Sequence, residues 1–511
     1  MYLCQMRKIF ALFISLFYFL AASAATEPIR VSATIGQSVK ASDASLTITC
    51  IDRRGYHPGK EHDADIQSPK SATFAPDGKK IYINSLEGGK TVVYDAKTLE
   101  KIKVISHTFS DGNSSLWLRP SGYYPFTHYP DGAGRAFLGK PVEATITPDG
   151  KWLIIPYYRR SFDINAQDPS AIAIIDTEND SIVAMAETGP LPKIVRVSND
   201  GKTLVITHWG DNTVGLMDIS DADPHKWKHL APIAIGKKLS LDYSLTSVVN
   251  RDSGSGNLLR GTLFLPGDSL MLVGGMAGQT AVIDLKRHTW IGYIPSLVSV
   301  RHIAMRNGMV YFSQNTAGQV ISCPVDSIVS AITRQRASSR SFTINGLRRC
   351  AVGSGARTLE PSPSGKYLFV ACNSASAVYV VRTSDMSVIA SIPADSFPVG
   401  LDISPDGTLL VTTSQGRKGV VQSGNAVDFY RIDYAEPEPD LSKQFEEMLA
   451  ADDNVTPLPP DTPTDEESSD NIISQLSSPY AIGVAVMSAL LVILLIALIV
   501  TIIRHNNRNR S

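Results

Sequence analysis

Five basic residues recur at one place in a repeated pattern. Lys70, Lys193, Arg260, Arg301 and Arg357 each stand just ahead of a short strand-like run that ends in a glycine-bearing turn. If the fold brings the starts of those runs together, the five charges converge on one opening. Ammonium and guanidinium groups held there would capture an anion, the guanidiniums by paired hydrogen bonds. Arg159, Arg160, His208, His302 and Arg417 fall on adjacent loops by the same spacing and would widen the opening into a basic funnel, with Glu143 and Asp402 offsetting part of the charge. The expected occupant is an anionic small molecule or an acidic protein partner. An ordinary solvated rim would show the same pattern in sequence.

Other chemistry is thinner. His57, Glu61, His62, Asp63 and Asp65 cluster near the N-terminus, but without ligand spacing characteristic of a metal site, so no metal and no cofactor is expected. No glycine-rich phosphate loop opens a helix and no Gly-x-Ser-x-Gly elbow is present, which removes the nucleotide-binding and serine-hydrolase patterns. No Cys-x-x-Cys or Cys-x-x-Cys-His occurs either, so thioredoxin-like redox chemistry and c-type haem attachment lack support. A formal net charge of -1 over 511 residues, with 43% hydrophobic and 19% charged residues, describes a large globular core and no nucleic-acid partner.

The elements that must position the basic residues repeat along the chain. SATFAPDGKKIYI (71–83), EATITPDGKWLII (143–155), VRVSNDGKTLVI (195–206), LEPSPSGKYLFV (359–370) and LDISPDGTLLVT (401–412) share one order. An alternating run, a Pro-Asp-Gly or related turn, and a β-branched run read as two strands joined by a hairpin. Third strands follow at Val92–Asp95, Ile174–Thr177, Leu216–Asp218, Val282–Asp284 and Val378–Val381, and a fourth as at Ser387–Ile392. Turn glycines at 78, 150, 201, 267, 308, 365 and 407 make seven blocks, at the roughly 40-residue-and-upward period of propeller blades. The expected fold is all-β, a seven-bladed β-propeller of four-stranded antiparallel blades spanning 25–434. Its last block runs out after three strands, and the run Ser45–Ile51 is expected to supply the fourth.

The stretch KYLFVACNSASAVYVVRTSDMSVIASIPADSFPVGLDISPDG (366–407) resembles one full unit of the YVTN-type repeat propellers, which include the YncE-like proteins. The resemblance runs from about Ser68 to Tyr434. It implies the propeller and leaves function open, because relatives of the repeat include lactonase-like propellers and the propeller portions of periplasmic dehydrogenases and nitrite reductases. None of their catalytic patterns can be placed on residues here.

The longest insertion, 107–141, carries Trp117, Tyr123, Tyr124, Phe126, His128 and Tyr129, and reads either as a lid over a binding face or as an aromatic plug that stabilises the ring. The ends of the chain are different in kind. Residues 1–24 have the basic start, apolar run and small-residue site of a signal peptide. Residues 480–503 are apolar and, at about 1.5 Å per residue, long enough to cross a hydrocarbon core about 30 Å thick. Arg504, Arg508 and Arg510 follow them, placing the 504–511 tail in the cytoplasm and the propeller on the extracytoplasmic side of a single-pass membrane protein. Residues 435–479, rich in Pro, Asp, Glu and Ser, read as a disordered stalk with one short helix over 441–450. Export leaves Cys50, Cys323, Cys350 and Cys372 in an oxidising compartment, with Cys350–Cys372 the candidate bridge. The expected function is a membrane-anchored binding or interaction scaffold rather than an enzyme. The alternative is a lactonase-like hydrolase or periplasmic oxidoreductase subunit acting on an anionic small molecule.

Overall fold

Seven antiparallel sheets, each begun by one of the repeated hairpins, close into a ring in a computed structural model that describes residues 33–55, 63–126, 128–129, 135–241, 251–416 and 424–453. The innermost strands are Pro69–Phe74, Thr145–Ile146, Pro192–Val197, Leu259–Phe264, Val300–Arg306, Ala356–Pro361 and Pro398–Ile403. From each the chain steps outward strand by strand, as in blade 6, where Ala356–Pro361, Tyr367–Cys372, Ala377–Arg382 and Ser387–Pro393 pair in sequence order. The turn between the first two strands needs a left-handed residue, and all seven turn glycines supply it, with φ between +71° and +80°.

Ring closure joins the two ends of the propeller. Leu46–Gly55 pairs with Ala426–Tyr434, so blade 7 takes its fourth strand from the N-terminal side, with Ser38–Lys40 as a short fifth. A buried ion pair fastens this seam. Arg53 donates from Nε to Asp428 Oδ1 at 2.7 Å and from Nη2 to the Ala33 carbonyl at 2.7 Å, and the Asp395 amide donates to Asp428 Oδ2 at 3.2 Å.

Blade 2 departs from the repeat. Its second strand, Trp152–Arg160, pairs with Thr145–Ile146 over its first half and with the hairpin Thr108–Ser110/Ala136–Pro141 over its second. The aromatic insertion therefore lies along its own blade. Trp117 donates to the Tyr129 hydroxyl, the Leu118 amide bonds the Met185 carbonyl at 2.8 Å, and Phe109, Tyr129 and Phe137 bury beside Tyr157. That is the stabilising reading of the insertion.

The segment after the last strand is folded where 441–453 is helical (Leu441–Asp453). Glu438 accepts from the Ser364 amide and hydroxyl at 2.6 and 2.7 Å, the Leu441 amide bonds the Pro405 carbonyl at 2.9 Å, Ser442 lies beside Gly78, and Phe445 lies on Gly150. The segment thus runs across the hairpin turns of blades 6, 7, 1 and 2. The apolar run 480–503, the leader 1–24 and the rest of the stalk lie outside the described residues, among which no helix is long and apolar enough to cross a membrane.

Candidate functional site

The site starts from a repeated irregularity. In six blades the pairing of the first two strands slips at the second residue of the inner strand, between Pro69 and Ser71, Pro192 and Ile194, Leu259 and Thr262, Val300 and His302, Ala356 and Leu359, and Pro398 and Gly400. The residues left unpaired there include Lys70, Lys193, Arg260, Arg301, Arg357 and Val399. A bulge re-aims the side chain it carries. Here the same bulge repeated around the ring places five cations at one level of the channel, and blade 2 contributes Glu143 at that level.

Glu143 is the counter-ion of the ring. Its Oε1 lies 3.5 Å from Arg260, 3.8 Å from Lys70 and 3.8 Å from Arg357. Burial alone would raise its pKa, but Lys70, Arg260, Arg357 and Arg301 together bring it down to about 2. Four of the five cations are buried too, with Lys70 7% exposed, Lys193 and Arg260 5% and Arg357 3%, while Arg301 is part-exposed. Burial and the neighbouring cations push both lysines well below their usual value. The same causes, with Arg260 the chief neighbour, lower Arg357 to about 9, which leaves its guanidinium protonated at neutral pH. Aromatic faces help hold the charges, with Lys193 Nζ 3.8 Å from the Tyr158 ring centre and Arg260 4.7 Å from that of Trp209.

One carboxylate does not satisfy this ring. Arg357 Nε reaches the Val399 carbonyl at 3.0 Å, but among the described residues its Nη2 has no hydrogen-bond acceptor, nor have Arg260 Nε and Nη1, and Glu143 Oε2 has no donor. Buried polar atoms are normally partnered, so four orphans at one level mark a place built for something else.

A cavity of about 460 Å³ connects to these atoms. It is bordered by Glu143, Arg260, Arg301 and Arg357 at one end and runs along the inner strands to Pro76 and Arg306 beside the hairpin turns. Further along, Arg196, Glu360 and Asp402 share the fifth position of their inner strands and line the same space. Burial, and for Glu360 the neighbouring Asp402, raises the two carboxyls to about 8 and about 7. Among the described residues Asp402 accepts only from the Phe74 and Ile403 amides, at 2.8 Å each, and Glu360 faces His302 at 4.0 Å.

The structure corrects several expected members of the funnel. Among the described residues, the lining of the cavity runs from the ring toward the hairpin-turn face. Arg160 is 1% exposed and stacks on Phe126 and Phe162 at 4.2 and 4.6 Å, donating to the Pro169 carbonyl at 2.9 Å, because the aromatic insertion folds over it. Arg159 turns toward the Ser161 and Asp163 carbonyls and lines no part of the cavity. His208 is wholly buried in blade 3 between the Thr188 and Thr213 hydroxyls at 2.7 Å each, and burial lowers its pKa to about 3. His302 does border the cavity. Arg417, His57 and His62 lie outside the described residues. Asp63 pairs with Lys101 at 3.0 Å, and no cluster of three metal-ligating side chains occurs among the described residues.

The four described cysteines are buried free thiols, and no bridge joins Cys350 to Cys372. Cys350 belongs to the outermost strand of blade 5 and Cys372 to the second strand of blade 6, a radial offset of two strands, about 10 Å at ordinary strand spacing. That exceeds the reach of a disulfide.

No family model and no curated protein matches the chain. Solved structures do. A Kuenenia stuttgartiensis hydrazine synthase chain superposes with a TM-score of 0.49 at 14% identity, covering 74% of this chain and 99% of its own. The Cps50 (Swd1) β-propeller domain of Myceliophteria thermophila gives 0.48 at 10% identity, covering 71% and 96%. A functionally unknown protein from Desulfotomaculum acetoxidans gives 0.37 at 14%, covering 48% and 70%. The fold assignment rests on the strand connectivity itself.

Proposed function

We propose that this propeller is a binding protein for a small anion held in its central channel, and that a C-terminal anchor presents it on the extracytoplasmic side of a membrane. The observation that carries the first half is the set of unpartnered, buried guanidinium nitrogens on Arg260 and Arg357, facing a cavity and shared with a single carboxylate. Burial separates the two expected occupants. Four of the five cations are only 3 to 7% exposed, which favours a small anion over an acidic protein surface, and 460 Å³ lies toward the lower end of the roughly 300–1,000 Å³ of small-molecule sites.

The second half rests on the leader, the apolar run 480–503 and the arginines after it. Protease added to sealed cells, or to spheroplasts, should release a fragment holding the propeller, and its full protection would remove the extracytoplasmic assignment.

Anion binding is tested by melting. A ligand at one hundred times its Kd stabilises the folded state by about 2.7 kcal/mol. Oxyanions should therefore raise Tm above matched sodium chloride, and should do so less in Arg260→Gln/Arg357→Gln. Equal shifts in both proteins would return the ring to a structural role. A hydrolase in the same channel is the second reading, favoured by the carboxyl pair at Glu360 and Asp402, which retains a proton near neutral pH as a general acid must. Lactone turnover lost in Glu360→Gln would establish it.

A further inference from the structure

The orphaned atoms at the cation ring are of two kinds. Arg260 Nε and Nη1 and Arg357 Nη2 are donors without acceptors, and Glu143 Oε2 is an acceptor without a donor. A bare anion such as sulfate would satisfy the first group and leave the second worse off, because it would bring more negative charge and no hydrogen against an ionised carboxylate. Glu143 is an acceptor only at neutral pH, since four surrounding cations outweigh the burial that would otherwise keep it protonated. Its Oε1 sits 3.5 to 3.8 Å from three of them, within ionic range but beyond a good hydrogen bond, so the ring is held open around it.

We infer that the channel selects an oxyanion that still carries a proton, with hydrogen phosphate as the type: its charged oxygens accept from Arg260 and Arg357 while its O–H donates to Glu143. The inference rests on the anion-binding reading of the channel and adds the class of anion. A carboxylate within a cationic site becomes a discriminating element, because it attracts a ligand bearing a donor and repels one that lacks it. A site built only for charge would have no use for Glu143 at this position, where a neutral side chain would leave the cations stronger. Inorganic phosphate keeps at least one O–H throughout the neutral range, and sulfate keeps none. A phosphate monoester has an O–H only below its second pKa of about 6.

Three probes at equal ionic strength test this on the full chain: inorganic phosphate, sulfate and methyl phosphate, each titrated calorimetrically at pH 5.5 and 7.5. Sulfate, whose charge is constant, reports any titration of the ring itself. Phosphate should bind at least tenfold more tightly than sulfate at both pH values. Methyl phosphate, whose only O–H is the acidic one, should match phosphate at pH 5.5 and fall toward sulfate at pH 7.5, whereas a monoester that holds its affinity at pH 7.5 would overturn the role of the proton. In Glu143→Gln, whose amide offers a donor as readily as an acceptor, the phosphate-to-sulfate ratio should fall to within about threefold. The wild-type ratio stands even if that variant folds poorly. Sulfate binding as tightly as phosphate would overturn the inference and leave anion binding intact, and no binding of any probe would overturn both.

Discussion

Replacing Arg53 by Met tests how the ring is closed. Arg53 is 7% exposed, Asp428 is fully buried, and their 2.7 Å contact ties the N-terminal strand of blade 7 to the chain's own third strand in that blade. Met fills similar volume but leaves Asp428 facing Asp395 with the Asp395 amide as its donor among the described residues, and takes the donor from the Ala33 carbonyl. Breaking a buried pair by removing one partner costs about 3–5 kcal/mol. Burial already lifts Asp428 to about 6 despite Arg53, so without the guanidinium its pKa rises further. A raised carboxyl stabilises the fold when protonated and loses that contribution as pH rises through its folded value. The penalty should therefore be largest near pH 7.5 and shrink by about 1 kcal/mol or more toward pH 5. Urea unfolding followed by tryptophan fluorescence at the two pH values measures both quantities. Arg53→Met/Asp428→Leu should recover most of the loss, since an apolar pair of similar volume often matches a buried ion pair. A single variant within about 0.5 kcal/mol of wild type, the range of ordinary surface substitutions, would refute this view of the seam.

Three further outcomes follow from the same packing. Glu360 and Asp402, at about 8 and about 7, should make the propeller lose stability as pH rises from about 6 through 8, and Glu360→Gln/Asp402→Asn should flatten that slope; a wild-type profile flat over the range would contradict their burial in the channel. Burial raises Cys50 and Cys372 to about 12 and Cys323 to about 11, so alkylating reagents should label them only on unfolding, and peptide mapping under non-reducing conditions should find Cys350 and Cys372 unlinked. Phe445→Ala should free the helix 441–453 from Gly150, seen as faster proteolysis after Tyr434 with Tm nearly unchanged, and equal protease resistance would place the helix's anchorage elsewhere.

The ring was legible in the sequence because each blade repeats one hairpin whose glycine has to adopt positive φ, and that requirement shows in the chain without any knowledge of contacts. The ring cations were legible for a related reason. Lys70, Lys193, Arg260, Arg301 and Arg357 occupy one repeat position, and a bulge at that position orients all of them alike. Spacing could not show depth, so residues on neighbouring loops looked equivalent to those in the channel. Arg160 and His208 are instead held in the blades by an aromatic insertion and by threonine hydroxyls, contacts made across long stretches of chain. Asp402 was visible as an offsetting charge, and carrying the alignment a few residues past the cations would have added Arg196 and Glu360, which share its repeat position. Glu143 was visible as an offsetting charge, but its place as the counter-ion to three cations depends on blade 2 lacking the long inner strand of its neighbours. The helix over 441–450 was legible from its residues, whereas its docking on the hairpin turns depends on Glu438, Ser442 and Phe445 meeting blades far away in sequence.

The central claim is that an anion resides in the channel, and arsenate locates one directly because it shares the charge and the O–H of hydrogen phosphate and scatters anomalously. Crystals grown with arsenate at a concentration that raises Tm should show an anomalous peak within hydrogen-bonding distance of Arg260, Arg357 and Glu143. A channel holding only water under those conditions, with the arsenate bound elsewhere on the surface, would contradict it.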